Sequence, residues 1–250
     1  MLYNPNRIRK IKLFCVPFSG GSASAYAGWR KYLDETIELH PLELAGRGRR
    51  IREPFPKSFE EAVHDLSEKI YPEIQNSEYA LFGHSLGSLL VYELYYKLLE
   101  KTNKKPVQVF FSGRDAPHIL DNEGLHILPD HEFIQHIKDL GGTPEELFEN
   151  KELLRFFLPI IRSDYRVFAS YVFVDGRDKL DCNISVLYGK ADHLIKEDIT
   201  GWSDYTTRQC SFYEFAGGHF YFQDHVVEVV TITNNALLDI HAANAATAEG

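Results

Sequence analysis

Cysteine, basic charge and long apolar runs are scarce in this sequence, and each scarcity excludes something. Three cysteines among 250 residues are an odd count. Cys15, Cys182 and Cys210 form neither a CxxC pair nor the Cys/His spacing of a zinc site. All three fall in apolar, strand-like runs, so buried reduced thiols are expected and no metal is. Lys and Arg number 27 against 36 Asp and Glu, a formal net charge of −9, which argues against wholesale binding of nucleic acid or an anionic membrane. Two local exceptions, Arg7, Arg9, Lys10 and Lys12 and then Arg47, Arg49, Arg50 and Arg52, read as solvated charges flanking buried strands. No basic region followed by a long apolar run opens the chain, so no secretory signal is visible. No stretch reaches the ~18 uninterrupted apolar residues that a membrane span requires. Cytoplasmic residence is the default expectation.

What is present suits a soluble enzyme. The chain is 44% hydrophobic and 25% charged, enough apolar material for a sizeable core. It has no internal repeat and no Pro-, Gly- or Ser-rich linker, so one domain over 1–250 is expected. Short β-rich apolar runs at 11–16, 37–42, 79–82, 107–112, 184–188 and 211–215 alternate with segments of helical periodicity. That alternation is the signature of an α/β fold: a mainly parallel central sheet flanked by helices.

Helix starts are marked. Ser58-Phe59-Glu60-Glu61 and Thr143-Pro144-Glu145-Glu146 match the capping box, with Pro144 expected at the first helical position. Asp130 after Pro129 is a further N-cap candidate. From 112 to 184 no convincing strand intervenes, and amphipathic helices at 132–140, 145–148 and 152–161 are expected instead. They form a helical insertion at about 117–171, the kind that acts as a lid over strand ends. The tail from His241 is expected to fray.

Gly83-His84-Ser85-Leu86-Gly87 follows an apolar run and precedes a helical pattern, the strand, turn and helix context in which GxSxG presents a nucleophile. A serine on so sharp a turn has strained backbone angles, and larger residues two places either side would collide with the adjacent strand and helix. Its hydroxyl needs a base within reach and an acid to orient that base. In the chain order Ser, Asp, His, Asp192 after one strand-like run and His219 after the last complete the set at strand C-terminal ends. Asp198 and Asp204 are rival acids farther from the strand end. His84 is expected to point away from the substrate side of Ser85, and His193 precedes the last strand. His40, His64, His118, His126, His131, His136, His225 and His241 read as surface or lid residues. An oxyanion hole needs two backbone donors. Leu86 N–H supplies one, and the abrupt turn Val16-Pro17-Phe18-Ser19-Gly20-Gly21 supplies the other from Ser19 or Phe18, a choice the sequence leaves open.

Taken together, Pro17-Phe18-Ser19-Gly20-Gly21, Leu44-Ala45-Gly46-Arg47-Gly48-Arg49, the GxSxG segment, Ser112-Gly113-Arg114-Asp115-Ala116-Pro117, Leu140-Gly141-Gly142-Thr143-Pro144 and Gly217-Gly218-His219-Phe220 carry a resemblance to a known family. The chain resembles the type II thioesterases, stand-alone editing enzymes of nonribosomal peptide and polyketide synthases with the α/β-hydrolase fold, over nearly all its length. Ala45 stands where that family usually has Pro, which alters loop stiffness and leaves the chemistry untouched. The resemblance implies hydrolysis of misprimed or stalled acyl groups from the phosphopantetheine arm of acyl or peptidyl carrier proteins, through an acyl-Ser85 intermediate. It implies no cofactor of the enzyme's own, and a monomer is expected. Carrier proteins are typically acidic, so the Arg47–Arg52 stretch is a candidate docking face. A carboxylesterase or lipase on the same fold is the alternative function, and a non-catalytic binding protein the third reading.

Overall fold

Among the described residues, six short strands hydrogen-bond side by side because each is a run of apolar residues whose backbone can be satisfied only by neighbours. They are β1 (Ile11–Val16), β2 (Ile37–Pro41), β3 (Tyr79–His84), β4 (Gln108–Ser112), β5 (Asn183–Gly189) and β6 (Cys210–Phe215). The computed structural model describes residues 10–120 and 124–248. Arg7 and Arg9 of the basic cluster, 121–123 within the expected insertion and 249–250 of the tail lie outside them. All five pairings are parallel, in the order β2-β1-β3-β4-β5-β6. The strand order reverses at β1: the chain moves outward to β2, then crosses back over β1 to β3. The crevice outside the C-terminal ends of β1 and β3 is therefore the switch point where open α/β sheets bind ligands.

The helices are α1 (Phe59–Ile70), α2 (Leu86–Thr102), α3 (Asp130–Leu140), α4 (Glu145–Glu149), α5 (Lys151–Ala169), α6 (Tyr221–Asp224) and α7 (Val226–Ala248). Alternation along each strand builds two cores. Phe14, Leu81, Phe111 and Val186 pack on one face with Leu66 of α1 and Leu90 of α2. Leu13, Phe82, Phe110 and Leu187 pack on the other with Trp29, Val230 and Leu237. Burying each such side chain is worth about 1.5–3 kcal/mol. Among the described residues no helix is long and apolar enough to cross a membrane.

The expected strands all form, with edges moved by up to two residues: β3 runs on to His84, and β2 stops at Pro41. Cys15 and Cys182 are buried and Cys210 half-buried, all free, although Cys182 sits just before β5. Burial pushes the Cys182 thiol up to about 12. The Ser58 box forms with one leg shifted: Ser58 Oγ accepts from Glu61 N–H at 3.1 Å, but Glu61 accepts from Lys57 N–H rather than from Ser58. Pro144 and Pro129 occupy the cap positions of α4 and α3 and neither helix has a side-chain cap, so Pro144 and Asp130 do not play their expected parts. Asp130 instead pairs with Arg162 at 2.7 Å.

Helix α5 passes through Pro159 and continues to Ala169. Ile160, Asp164 and Val167, three and four apart, keep one face buried beyond the expected end at 161. The last helix reaches Ala248, where fraying from His241 was the expectation.

Candidate active site

One residue separates β3 from α2. Ser85 spans that step with φ 56° and ψ −116°, a conformation outside the regions a side chain ordinarily allows. A Cβ on Gly83 would lie 2.1 Å from Gly87 O, and one on Gly87 would lie 2.2 Å from Val16 O. Both glycines are thus obligatory, and α2 starts against the end of β1. The turn is tied to β4: Ser85 N–H donates to Ser112 O at 2.8 Å, and Ser88 Oγ accepts from Ser112 N–H at 3.0 Å.

The structure brings Asp192 and His219 together. His219 Nδ1 lies 2.8 Å from Asp192 Oδ2, both side chains being buried. Asp192 Oδ1 accepts from Leu194 N–H at 2.9 Å, which fixes the carboxylate. The two loops are zipped by Lys190 N–H to Phe215 O and Ala191 N–H to Gly217 O, each 2.9 Å. The rival acids go elsewhere: exposed Asp198 caps the 3-10 helix Ile199–Tyr205 by accepting from Thr200 N–H at 3.0 Å, and Asp204 is exposed within it. His219 Nε2 is buried with no hydrogen-bond partner among the described residues.

Ser85, Leu86, Phe18, Ser19 and His219 line one cavity of about 90 Å³, together with Leu140, Ile161 and Tyr165 of the insertion. A larger open groove between α1, α2 and 170–179 contains none of them. In the turn after β1, Gly21 N–H bonds Phe18 O and Gly20 N–H bonds Asp164. The N–H groups of Phe18 and Ser19 have no bond among the described residues. Leu86, first in α2, has an N–H that the helix leaves unpaired.

His84 is fully buried behind His219, with ring centroids 4.9 Å apart, and its Nδ1 lies 2.8 Å from Ser112 Oγ. Burial, and then the nearby His219 charge, hold His84 well below the usual histidine range. It does not line the cavity.

Four placements escaped sequence reasoning, those of Arg47, Asp164, Arg50 and Asp115. Arg47 is buried, not solvated: both its terminal nitrogens meet the fully buried carboxylate of Asp164 at 2.5 Å. Removing one partner alone would strand the other charge, at a cost of about 3–5 kcal/mol. Arg50 is likewise engaged, by Glu53 and Asp65, which leaves Arg49 and Arg52 as the exposed members of the cluster. Asp115 holds the acid loop from the end of β4, accepting from Lys196 N–H at 2.7 Å, and burial raises its pKa. The available signal for Asp164 was an acidic residue on the otherwise apolar face of α5, four residues after Ile160.

A strained serine between strand and helix, followed along the chain by a buried Asp–His pair at the C-terminal ends of parallel strands, defines a serine hydrolase of the α/β-hydrolase fold. The chain belongs to the thioesterase domain family, whose model matches residues 11–237, and it is a hydrolase acting on thioesters. It is 34% identical over 229 residues to the gramicidin S biosynthesis protein GrsT of Aneurinibacillus migulanus, covering 91% of this chain and 89% of that protein. It is 32% identical to the medium-chain S-acyl fatty acid synthase thioesterase of Rattus norvegicus, covering 87% and 83%. The crystal structure of ClbQ from the colibactin NRPS/PKS pathway superposes with a TM-score of 0.89 at 40% identity, over 94% of this chain and 99% of that one.

Proposed function

We propose that this thioesterase clears aberrant or stalled acyl groups from the phosphopantetheine arm of carrier proteins in nonribosomal peptide or polyketide biosynthesis, through an acyl-Ser85 intermediate. The observation that carries the reading is the 2.8 Å His219–Asp192 bond on the cavity that Ser85 also lines. Ser85 Oγ attacks the thioester carbonyl while His219 Nε2 takes its proton, and Asp192 steadies the imidazolium through Nδ1. The oxyanion is held by Leu86 N–H with the N–H of Ser19 or Phe18. The thiol leaves with the proton from His219, and a water activated by the same nitrogen hydrolyses the acyl-enzyme.

The pathway follows the relatives: in sequence the chain is 34% identical to a gramicidin S biosynthesis protein and 32% to a fatty acid synthase thioesterase, and the NRPS/PKS pathway structure that superposes at TM-score 0.89 is 40% identical. The substrate brings its own phosphopantetheine, and the enzyme needs no further cofactor. It works as a monomer in the cytoplasm, with the 117–171 insertion as lid on a single domain. Exposed Arg49 and Arg52 are the docking candidates for an acidic carrier, and reversing their charge raises KM for carrier-bound substrates while sparing small thioesters.

The deciding experiment is mass spectrometry of a panel of acyl-loaded carrier proteins incubated with wild type and Ser85→Ala. Wild type strips at least one acyl group that the variant leaves. Loss from none of them overturns the proposal, and faster hydrolysis of small oxygen esters would favour the carboxylesterase reading.

A further inference from the structure

Asp164 of α5 and Gly20 of the turn after β1 are 144 positions apart, yet Gly20 N–H donates to Asp164 Oδ2 at 2.7 Å. Arg47 grips both oxygens of that carboxylate and also donates from Nη1 to Gly21 O at 3.2 Å. One ion pair therefore holds a donor and an acceptor of the same turn. The turn has no slack above it either: Gly20 has φ +80°, and a Cβ there would lie 2.6 Å from Ile161 Cγ1 of α5. The neighbours of this gripped peptide are Phe18 and Ser19, whose N–H groups are the second oxyanion donors in the reading above.

A buried ion pair is weak grounds for stability, since well-packed apolar residues of similar volume often do as well. What an apolar residue at 164 could not do is accept from Gly20 N–H. We propose that Asp164 is a positioning residue for thioester hydrolysis, aiming the Phe18–Ser19 oxyanion donors through its bond to Gly20, with Arg47 as the counter-ion that allows a carboxylate there. The inference rests on the assignment of Ser85 and its oxyanion donors. Because Asp164 is carried by the insertion, the donors are correctly aimed only while the insertion is seated. An unseated insertion opens the cavity and slackens the turn together, and by reciprocity a tetrahedral adduct at Ser85 stabilises the seated state.

Two charge-free pairs isolate the bond: Arg47→Met with Asp164→Asn, and Arg47→Met with Asp164→Leu. Both remove the ion pair, but only the first keeps an oxygen for Gly20 N–H. The measurements are kcat and KM on a small acyl thioester, and affinity for an alkyl boronic acid whose Ser85 adduct mimics the tetrahedral intermediate. Relative to the asparagine pair, the leucine pair loses about ten-fold or more in both kcat and boronate affinity, since misaimed oxyanion donors act on the transition state. Its KM stays within about two-fold. Equal kcat and boronate affinity in the two pairs, or a loss confined to KM, overturns the proposal.

Should the leucine pair fail to fold, amide exchange in the wild type decides. Gly20 N–H must exchange as slowly as the amides of α5 and slow with them when the boronate binds. Exchange at the rate of an exposed turn sinks the idea. Unaffected variants beside an active wild type refute only this positioning role, whereas a wild type inert to thioester and boronate alike refutes the assignment of Ser85.

Discussion

His84 and His219 lie ring beside ring, 4.9 Å between centroids and 43° between planes, and of the two only His219 has an acid at its Nδ1. His84 instead faces Ser112 Oγ and is boxed in by Phe18, Phe220, Tyr221 and Phe222. Kept neutral, it adds no second cation beside His219, the base of the proposed mechanism.

Stability should record that neutrality. The folded pKa of His84 is depressed by burial and then by His219, so the unfolded chain takes up a proton that the folded one refuses. The contribution is complete above the unfolded value near 6.5 and is lost as pH falls below it, by up to about 1.4 kcal/mol per pH unit. Urea unfolding of wild type and His84→Leu between pH 7 and pH 5 checks this. The variant's stability should fall less steeply by about one proton, and identical slopes would refute it.

Replacing the acid separates Asp192 from its rivals. Asp192→Asn keeps the shape but no longer fixes the His219 tautomer, and kcat should fall by about 10³–10⁴. Asp198→Asn and Asp204→Asn, both exposed, should stay within about two-fold of wild type. A kinetic hierarchy in any other order would move the acid.

Acyl selection should follow cavity size. The pocket of about 90 Å³ around Ser85 is walled in part by the apolar side chains of Leu140 and Ile161, so trimming that wall should admit longer acyl groups. Leu140→Ala removes a wall at about 0.8 kcal/mol per methylene newly buried. The kcat/KM ratio for hexanoyl over acetyl thioesters should rise about ten-fold or more, and an unchanged ratio would mean that this wall does not meet the chain.

Two adjacent glycines allow a controlled test of how the insertion seats. Gly141 (φ +78°) and Gly142 (φ +72°) are equally unsuited to a side chain, but a Cβ on Gly141 meets nothing within 4 Å while one on Gly142 would lie 2.2 Å from the Phe220 ring. Gly142→Ala therefore presses on the residue after His219. Its kcat/KM should be about ten-fold or more below that of Gly141→Ala, since small displacements at a reacting centre are costly. Equal losses would reduce the matter to backbone strain.

The features legible in the sequence were those set by local chemistry. Short β-rich apolar runs announced β1 through β6, and the strained turn at Ser85 was readable because the need for glycine at 83 and 87 is imposed within five residues. The proximity of Asp192 and His219, 2.8 Å apart, was legible from chain order and strand ends. Arg47 was misread because a guanidinium in a glycine-rich loop looks solvated until its partner, 117 positions away, is folded onto it. The end of α5 was misjudged for a related reason: the continuation past Pro159 is stabilised by what its far half packs against, which no local window contains.

The insertion leaves the sheet after β4 and returns before β5, the adjacent strand. Under the proposed lid role, swapping 117–171 as a block should transplant acyl selection between relatives while leaving Ser85, Asp192 and His219 untouched. The graft carries one obligation: an incoming segment without a carboxylate in the place of Asp164 would leave Arg47 a stranded cation beneath it. Compatibility of donor and host can therefore be screened first at 47 and 164, then at the tight Gly20–Ile161 and Gly142–Phe220 contacts, before any chimera is made.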